Sequence, residues 1–236
     1  MIYKCRLDFI KIICLVGIGL FISDSSFSQK FTTSIDLQMS LPAGEYKTVN
    51  PDAGFGARAN ILYRPNKDIP VKIGLELGMQ VKGSTSQYFS GYISGFYDDF
   101  KVSASNNIFS LQFVTRLQPE KRGKIKPFLD AVAGWNVFFS TASIERLTFF
   151  SDYNSSYSNS SKAKWAFSYG AAAGVDIPLN KRDDIGFELK CAYLLGSNTN
   201  YLTDPRIDEN AQVFFTEKNS TTDMIIPQIG VRISIR

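Results

Sequence analysis

The chemistry open to this chain is bounded first by a residue it lacks: its 236 amino acids include no histidine. Serine nucleophiles that need an imidazole base are therefore excluded, and metal sites lose their commonest ligand. Cys191 falls on an apolar strand face with no base beside it, which suits an apolar side chain better than a nucleophile. Two carboxylate pairs, Asp98 with Asp99 and Asp183 with Asp184, are adjacent in sequence. Neighbours on an extended chain point apart, so neither pair makes an acid and base dyad. Asp204, Asp208 and Glu209 match no calcium-loop spacing and read as solvated loop acids. No catalytic residue, metal ligand or cofactor site is assigned. A net charge of +4 is too mild for nucleic-acid binding.

What remains is a set of charges at matching positions: Asp36, Glu76, Asp130, Asp176 and Glu188 against Arg58, Lys72, Arg116, Lys190 and Arg232. Their meaning depends on the elements that carry them. Alternation predicts strands near 31–41, 54–63, 70–82, 101–117, 126–140, 164–177, 185–195 and 222–236. In the third, Val71, Ile73, Leu75, Leu77, Met79 and Val81 share one face, while Lys72, Gly74, Glu76, Gly78, Gln80 and Lys82 share the other. The seventh repeats the pattern with Ile185, Phe187, Leu189, Cys191, Tyr193 and Leu195 opposite Gly186, Glu188, Lys190 and Ala192. The last does so with Ile225, Ile229, Val231, Ile233 and Ile235 opposite Gln228, Gly230, Arg232 and Ser234. All ten charges then lie on the polar face.

Connections at 64–69, 119–125 and 179–184 are short and rich in turn residues, whereas 42–53, 83–100, 141–163 and 196–221 are long. Strands of at least about 9 to 11 residues, even in number and joined alternately by short turns and long loops, are what a bilayer-spanning barrel requires. The expected fold is all-β: an eight-stranded antiparallel transmembrane β-barrel in an up-and-down meander. Trp135 and Trp165, with Phe139 and Phe167, fall on the apolar face near the long-loop ends, where an outer aromatic girdle sits. The competing architecture is a soluble lipocalin-like carrier with an apolar lumen; the charges mixed with glycine favour a narrow polar lumen instead. An eight-stranded barrel is just wide enough for side chains to fill. The inward charges are therefore read as a mutually neutralising plug, with a gated ion path or proton relay as the alternative.

At the amino terminus, Lys4, Arg6 and Lys11 precede an uncharged apolar stretch over 12–22, and Ser26 and Ser28 supply small residues before Gln29. Residues 1–28 read as a removed signal peptide and 29–236 as the barrel domain. The apolar stretch falls short of the roughly 20 residues a membrane helix needs. Removal of Cys5 and Cys14 would leave Cys191 alone, so stability must come from the sheet.

The long loops hold the candidate binding surface. Residues 83–100 scatter Tyr88, Phe89, Tyr92, Phe96, Tyr97 and Phe100 among Ser and Gly, and the third long loop adds Tyr153 and Tyr157. Such compositions occur in adaptable binding surfaces, and also where aromatics simply pack on one another.

Through segments such as PVKIGLELGMQVK at 70–82, DIPLNKRDDIGFELKCAY at 176–193 and MIIPQIGVRISIR at 224–236, the chain resembles the small eight-stranded outer-membrane barrels. The resemblance is strongest to the outer-membrane β-barrel domain family of Bacteroidota that includes PorT-like proteins. It implies a Gram-negative outer-membrane protein with both termini periplasmic. It also implies contact with outer-membrane lipid and with the insertion machinery during biogenesis, and a monomeric state. Two departures stand out: Arg236 follows Ile235 where an aromatic end is usual, and Pro227 should cost a ladder bond or force a bulge. The expected role is non-enzymatic, structural or surface-interacting through the long loops toward a ligand or envelope protein. The alternative is a narrow small-solute channel or transporter, or an envelope assembly or secretion accessory.

Overall fold

The computed structural model describes residues 30–66, 69–93, 96–119, 125–146, 156–160, 163–180, 183–208 and 212–235. The signal segment, Tyr153, Glu209 and Arg236 lie outside them. The elements are β1 (Lys30–Pro42), α1 (Gly44–Val49), β2 (Gly54–Arg64), β3 (Val71–Ile93), β4 (Phe96–Leu117), β5 (Lys126–Arg146) and β6 (Ser156–Ser160). They continue with β7 (Lys164–Pro178), β8 (Ile185–Gly196), β9 (Thr199–Ile207), β10 (Val213–Ser220) and β11 (Met224–Ile235).

Eight of these strands pair antiparallel around a ring: β1 with β2, β2 with β3, β3 with β4, β4 with β5, β5 with β7, β7 with β8, β8 with β11, and β11 back to β1. The sheet is closed. Phe31 opposite Ile235 makes the seam between the two terminal strands, so the eight-stranded wall has no open edge there. Both terminal strands meet at the end that carries the short turns.

Alternation sorts the faces against the pattern of a soluble protein. Ile35 and Leu37 are each 68% exposed, and Leu75, Leu77, Phe113, Trp135, Ile229 and Val231 are exposed with them. Asp36, Arg58, Glu76, Gln112, Arg116, Asp130 and Glu188 are buried. An apolar exterior around a polar interior is the profile that a lipid bilayer selects and water does not. The same observation removes the lipocalin-like carrier, whose lumen would have to be apolar.

Among the described residues, much of the long connections is regular structure. The segment 83–100, expected to be a loop, continues the β3 and β4 ladder from Ser84 opposite Ser105 to Ile93 opposite Phe96. Alternating Tyr, Phe, Ile and Ser suits a pleated surface better than the turn composition suggested. A register shift between Val81 and Ser84, with Gly83 at φ +82°, separates this projecting hairpin from the barrel wall. β5 likewise runs on to Arg146 and takes β6 as a partner, and β9 pairs antiparallel with β10. Pro227 leaves the register intact: Gln38 faces Gln228 and Leu41 faces Ile225, and only the pairings between them are missing. A ladder bond is lost and no bulge forms.

Candidate functional site

The lumen is crossed by a connected polar network. Glu76 on β3 receives Arg58 Nη1 from β2 at 2.6 Å and Lys190 from β8. Arg58 also donates through Nη1 to Gln112 Oε1 at 2.8 Å and through Nε to Gln38 Oε1 at 2.6 Å. One strand along, Arg116 grips two carboxylates in bidentate fashion: Asp130 at 2.8 and 2.9 Å, Glu188 at 2.8 and 2.9 Å. The guanidinium carbon of Arg116 lies 3.7 Å from the ring centre of Phe128, so one face is covered as well. Toward the turn end, Arg232 Nε lies 2.8 Å from Asp176 Oδ2 and its Nη2 donates to Asp183 Oδ1 at 2.7 Å. Lys126 also bonds Asp183. Lys72 donates to Gln118 Oε1 at 2.8 Å and to Thr32 Oγ1 at 3.4 Å.

Small residues give these groups their room. A Cβ on Gly78 would stand 3.0 Å from Arg58 Nε, and one on Gly186 would stand 2.4 Å from Asp176 Oδ1. Among the described residues Lys72 forms no ion pair, and neither does Asp36. Ser34 Oγ donates to its Oδ2 at 2.6 Å, while its Oδ1 is buried without a hydrogen bond. Both amide atoms of Asn136 and of Gln228 are buried in the same state.

Above this network the interior becomes apolar. α1 folds inward at the hairpin end, placing Tyr46 against Tyr201 of β9 at 5.3 Å between ring centres and against Phe138 of β5 at 6.5 Å. Met224, Ile226, Leu194 and Ile108 are buried with them. Burial pushes the ionisation of the Tyr46 and Tyr201 phenols upward. Lys82 Nζ lies 3.7 Å from the centre of the Tyr46 ring and donates to the Asn50 carbonyl oxygen at 3.1 Å. Between these groups is a cavity of about 180 Å³ lined by Lys82, Asn106, Ile108, Phe138, Lys164 and Tyr201, among others. A smaller cavity of about 70 Å³ at the turn end is lined by Arg64, Lys72, Gln118, Asp176 and Arg232.

The aromatic residues singled out in the projecting segments fall in three groups. Tyr88 is exposed and lies 5.9 Å from Lys101 Nζ, while Phe89 and Phe100 stack across β3 and β4 at 5.7 Å. Tyr92, Phe96, Tyr97 and Tyr157 sit in β3, β4 and β6 by their backbone. Tyr153 lies outside the described residues. Asp204 forms an ion pair with Lys218 at 3.0 Å, and that bond holds its carboxyl below the usual range. No cluster of three His, Cys, Asp or Glu side chains fit for a metal occurs among the described residues.

Alternation places Gln80 inward, and could have found Gln38 and Gln112 in the same way, because these amides of the network occupy inward positions of their strands. Tyr46 and Tyr201 carried no such signal. A six-residue helix and a hairpin inside a Ser- and Asn-rich connection have no periodicity long enough to read.

No family model matches the chain, and no curated protein matches it. Solved structures do. Neisserial surface protein A is 11% identical with a TM-score of 0.42, over 90% of this chain and 99% of its own. A major outer membrane protein from Thermus thermophilus is 11% identical with a TM-score of 0.46, over 89% and 100%. The outer membrane protease OmpT from Escherichia coli is 9% identical with a TM-score of 0.34, over 90% and 99%. All three are β-barrels of the outer membrane. At such identities the likeness extends to the fold alone, and the fold itself rests on the strand pairing described above.

Proposed function

We propose that the protein is a non-enzymatic, monomeric β-barrel of a Gram-negative outer membrane, closed to solutes, whose role is exercised by the hairpin-bearing end at the cell surface. The short turns and both termini then face the periplasm. The observation that carries this reading is the bond between Glu76 and Lys190, which joins opposite walls of the lumen. A lumen stitched across its width leaves the wall to lipid and the projecting hairpins to a partner.

A second reading, a narrow channel for small solutes, draws on the buried polar atoms of Asp36, Asn136 and Gln228 that lack protein partners, since internal waters would satisfy them. Planar-bilayer recordings of the purified protein separate the two. A silent membrane is expected for the closed barrel, and stable single-channel currents would put the channel first. Recovery of the protein from the soluble periplasmic fraction without detergent would remove both.

A further inference from the structure

The cavity at the hairpin end combines a withdrawn cation with apolar walls. Lys82 is 2% exposed, yet its ammonium contacts a ring face and a backbone carbonyl, at 3.7 and 3.1 Å, and feels the exposed carboxylate of Asp52 from beyond ion-pair distance. Arg58, Arg116, Lys190 and Arg232 deeper in the barrel each hold a carboxylate. Among the described residues none forms an ion pair with Lys82. A buried ammonium opposed only by a solvated carboxylate is poorly compensated, and an anion reaching it meets an attraction little weakened by water. The space beside it, about 180 Å³, is bounded by Ile108, Phe138 and Tyr201, with Lys164 exposed at the rim. Glu217 also borders the rim but is exposed, so solvent screens it. A cavity of about 150 Å³ with apolar walls accommodates one benzene ring, which leaves room here for a ring and a carboxylate.

We propose that this cavity binds a small organic anion with an apolar body, an aromatic carboxylate of about the size of benzoate. The carboxylate pairs with Lys82, the ring packs on Phe138 and Tyr201, and Lys164 favours entry of negative charge. A neutral analogue leaves the ammonium with the distant Asp52 carboxylate alone. A bare inorganic anion leaves the apolar walls unfilled. This site is independent of whether the projecting hairpins engage a partner.

The test is calorimetric titration of the full folded protein in a non-ionic detergent with benzoate, benzamide and inorganic phosphate. Saturable benzoate binding is expected, at least about tenfold tighter than either of the others, a difference of about 1.4 kcal/mol. Lys82→Met should weaken benzoate by a similar factor, and Phe138→Trp, which fills the cavity, should abolish it. Absence of saturable benzoate binding in the millimolar range, or equal binding of benzoate and benzamide by the unmodified protein, would overturn the proposal. The comparison of ligands needs no variant, so a Lys82→Met protein that fails to fold leaves the test decisive.

Discussion

Glu76 and Lys190 are separated by 114 positions in sequence and by three strands in either direction around the ring, yet they are bonded across the lumen. No contact within one hairpin could bring them together. Their bond exists only in the closed barrel, so it reports closure as well as stabilising it.

Glu76→Gln should therefore leave Lys190 and Arg58 short of a charge in a site with little water. A destabilisation of about 3 to 5 kcal/mol is expected in reversible unfolding, without any conductance appearing. Asp36→Asn is the contrast. Among the described residues Asp36 contacts a hydroxyl and no cation, so removing its charge should be neutral or stabilising. Equal losses in the two variants would show that the carboxylates are not distinguished by their partners.

The exterior makes a second claim. Leu77 and Leu189 are exposed in the apolar band, and replacing either by Arg should cost about 2 to 4 kcal/mol in lipid bilayers. Asn198, exposed between β8 and β9, should tolerate Arg with little change. Folding measurements in lipid vesicles that gave one value at all three positions would contradict a lipid-facing band.

Tyr46 is the buried side chain of α1 in the mouth. Tyr46→Ala should cost about 3 to 5 kcal/mol if the surrounding rings cannot collapse into the space. Because the charge network lies below it, planar bilayers should remain silent. The appearance of currents would place the barrier to ions at Tyr46 instead.

A pH dependence follows from the turn at the other end. Partial burial alone would raise the Asp183 carboxyl, but the hydrogen bond from Lys126 and the charges of Arg232 and Lys126 prevail and hold it below its ordinary value. A carboxyl depressed in the folded state contributes stability above its unfolded value of about 3.9, and loses that contribution as the pH falls through the folded value. Asp183→Asn should thus lower stability at neutral pH and shallow the acid limb below about pH 4. Because Asp183 is partly solvated, the effect should be modest and reduced by salt. An acid limb identical in both proteins would count against the Lys126 and Arg232 contacts.

The sequence by itself determined which residues share a face. Period-two alternation is a local property of extended chain, so Leu75 and Leu77 fall together on one side, Glu76 and Gly78 on the other, before any partner strand is known. The alternation of short turns with long connections determined the ring order, because consecutive antiparallel strands pair with their neighbours. Partner choice inside the lumen was decided only by the tertiary structure. Whether Glu76 meets Lys190, Lys72 or Arg116 depends on tilt and stagger around the closed ring, and these accumulate over all eight strands rather than residing in any one. The same holds for the mouth. Tyr46, Lys82, Phe138 and Tyr201 come from four elements with no common period, and they form one site because closure of the barrel turns three strand positions and one helix position toward a single axis.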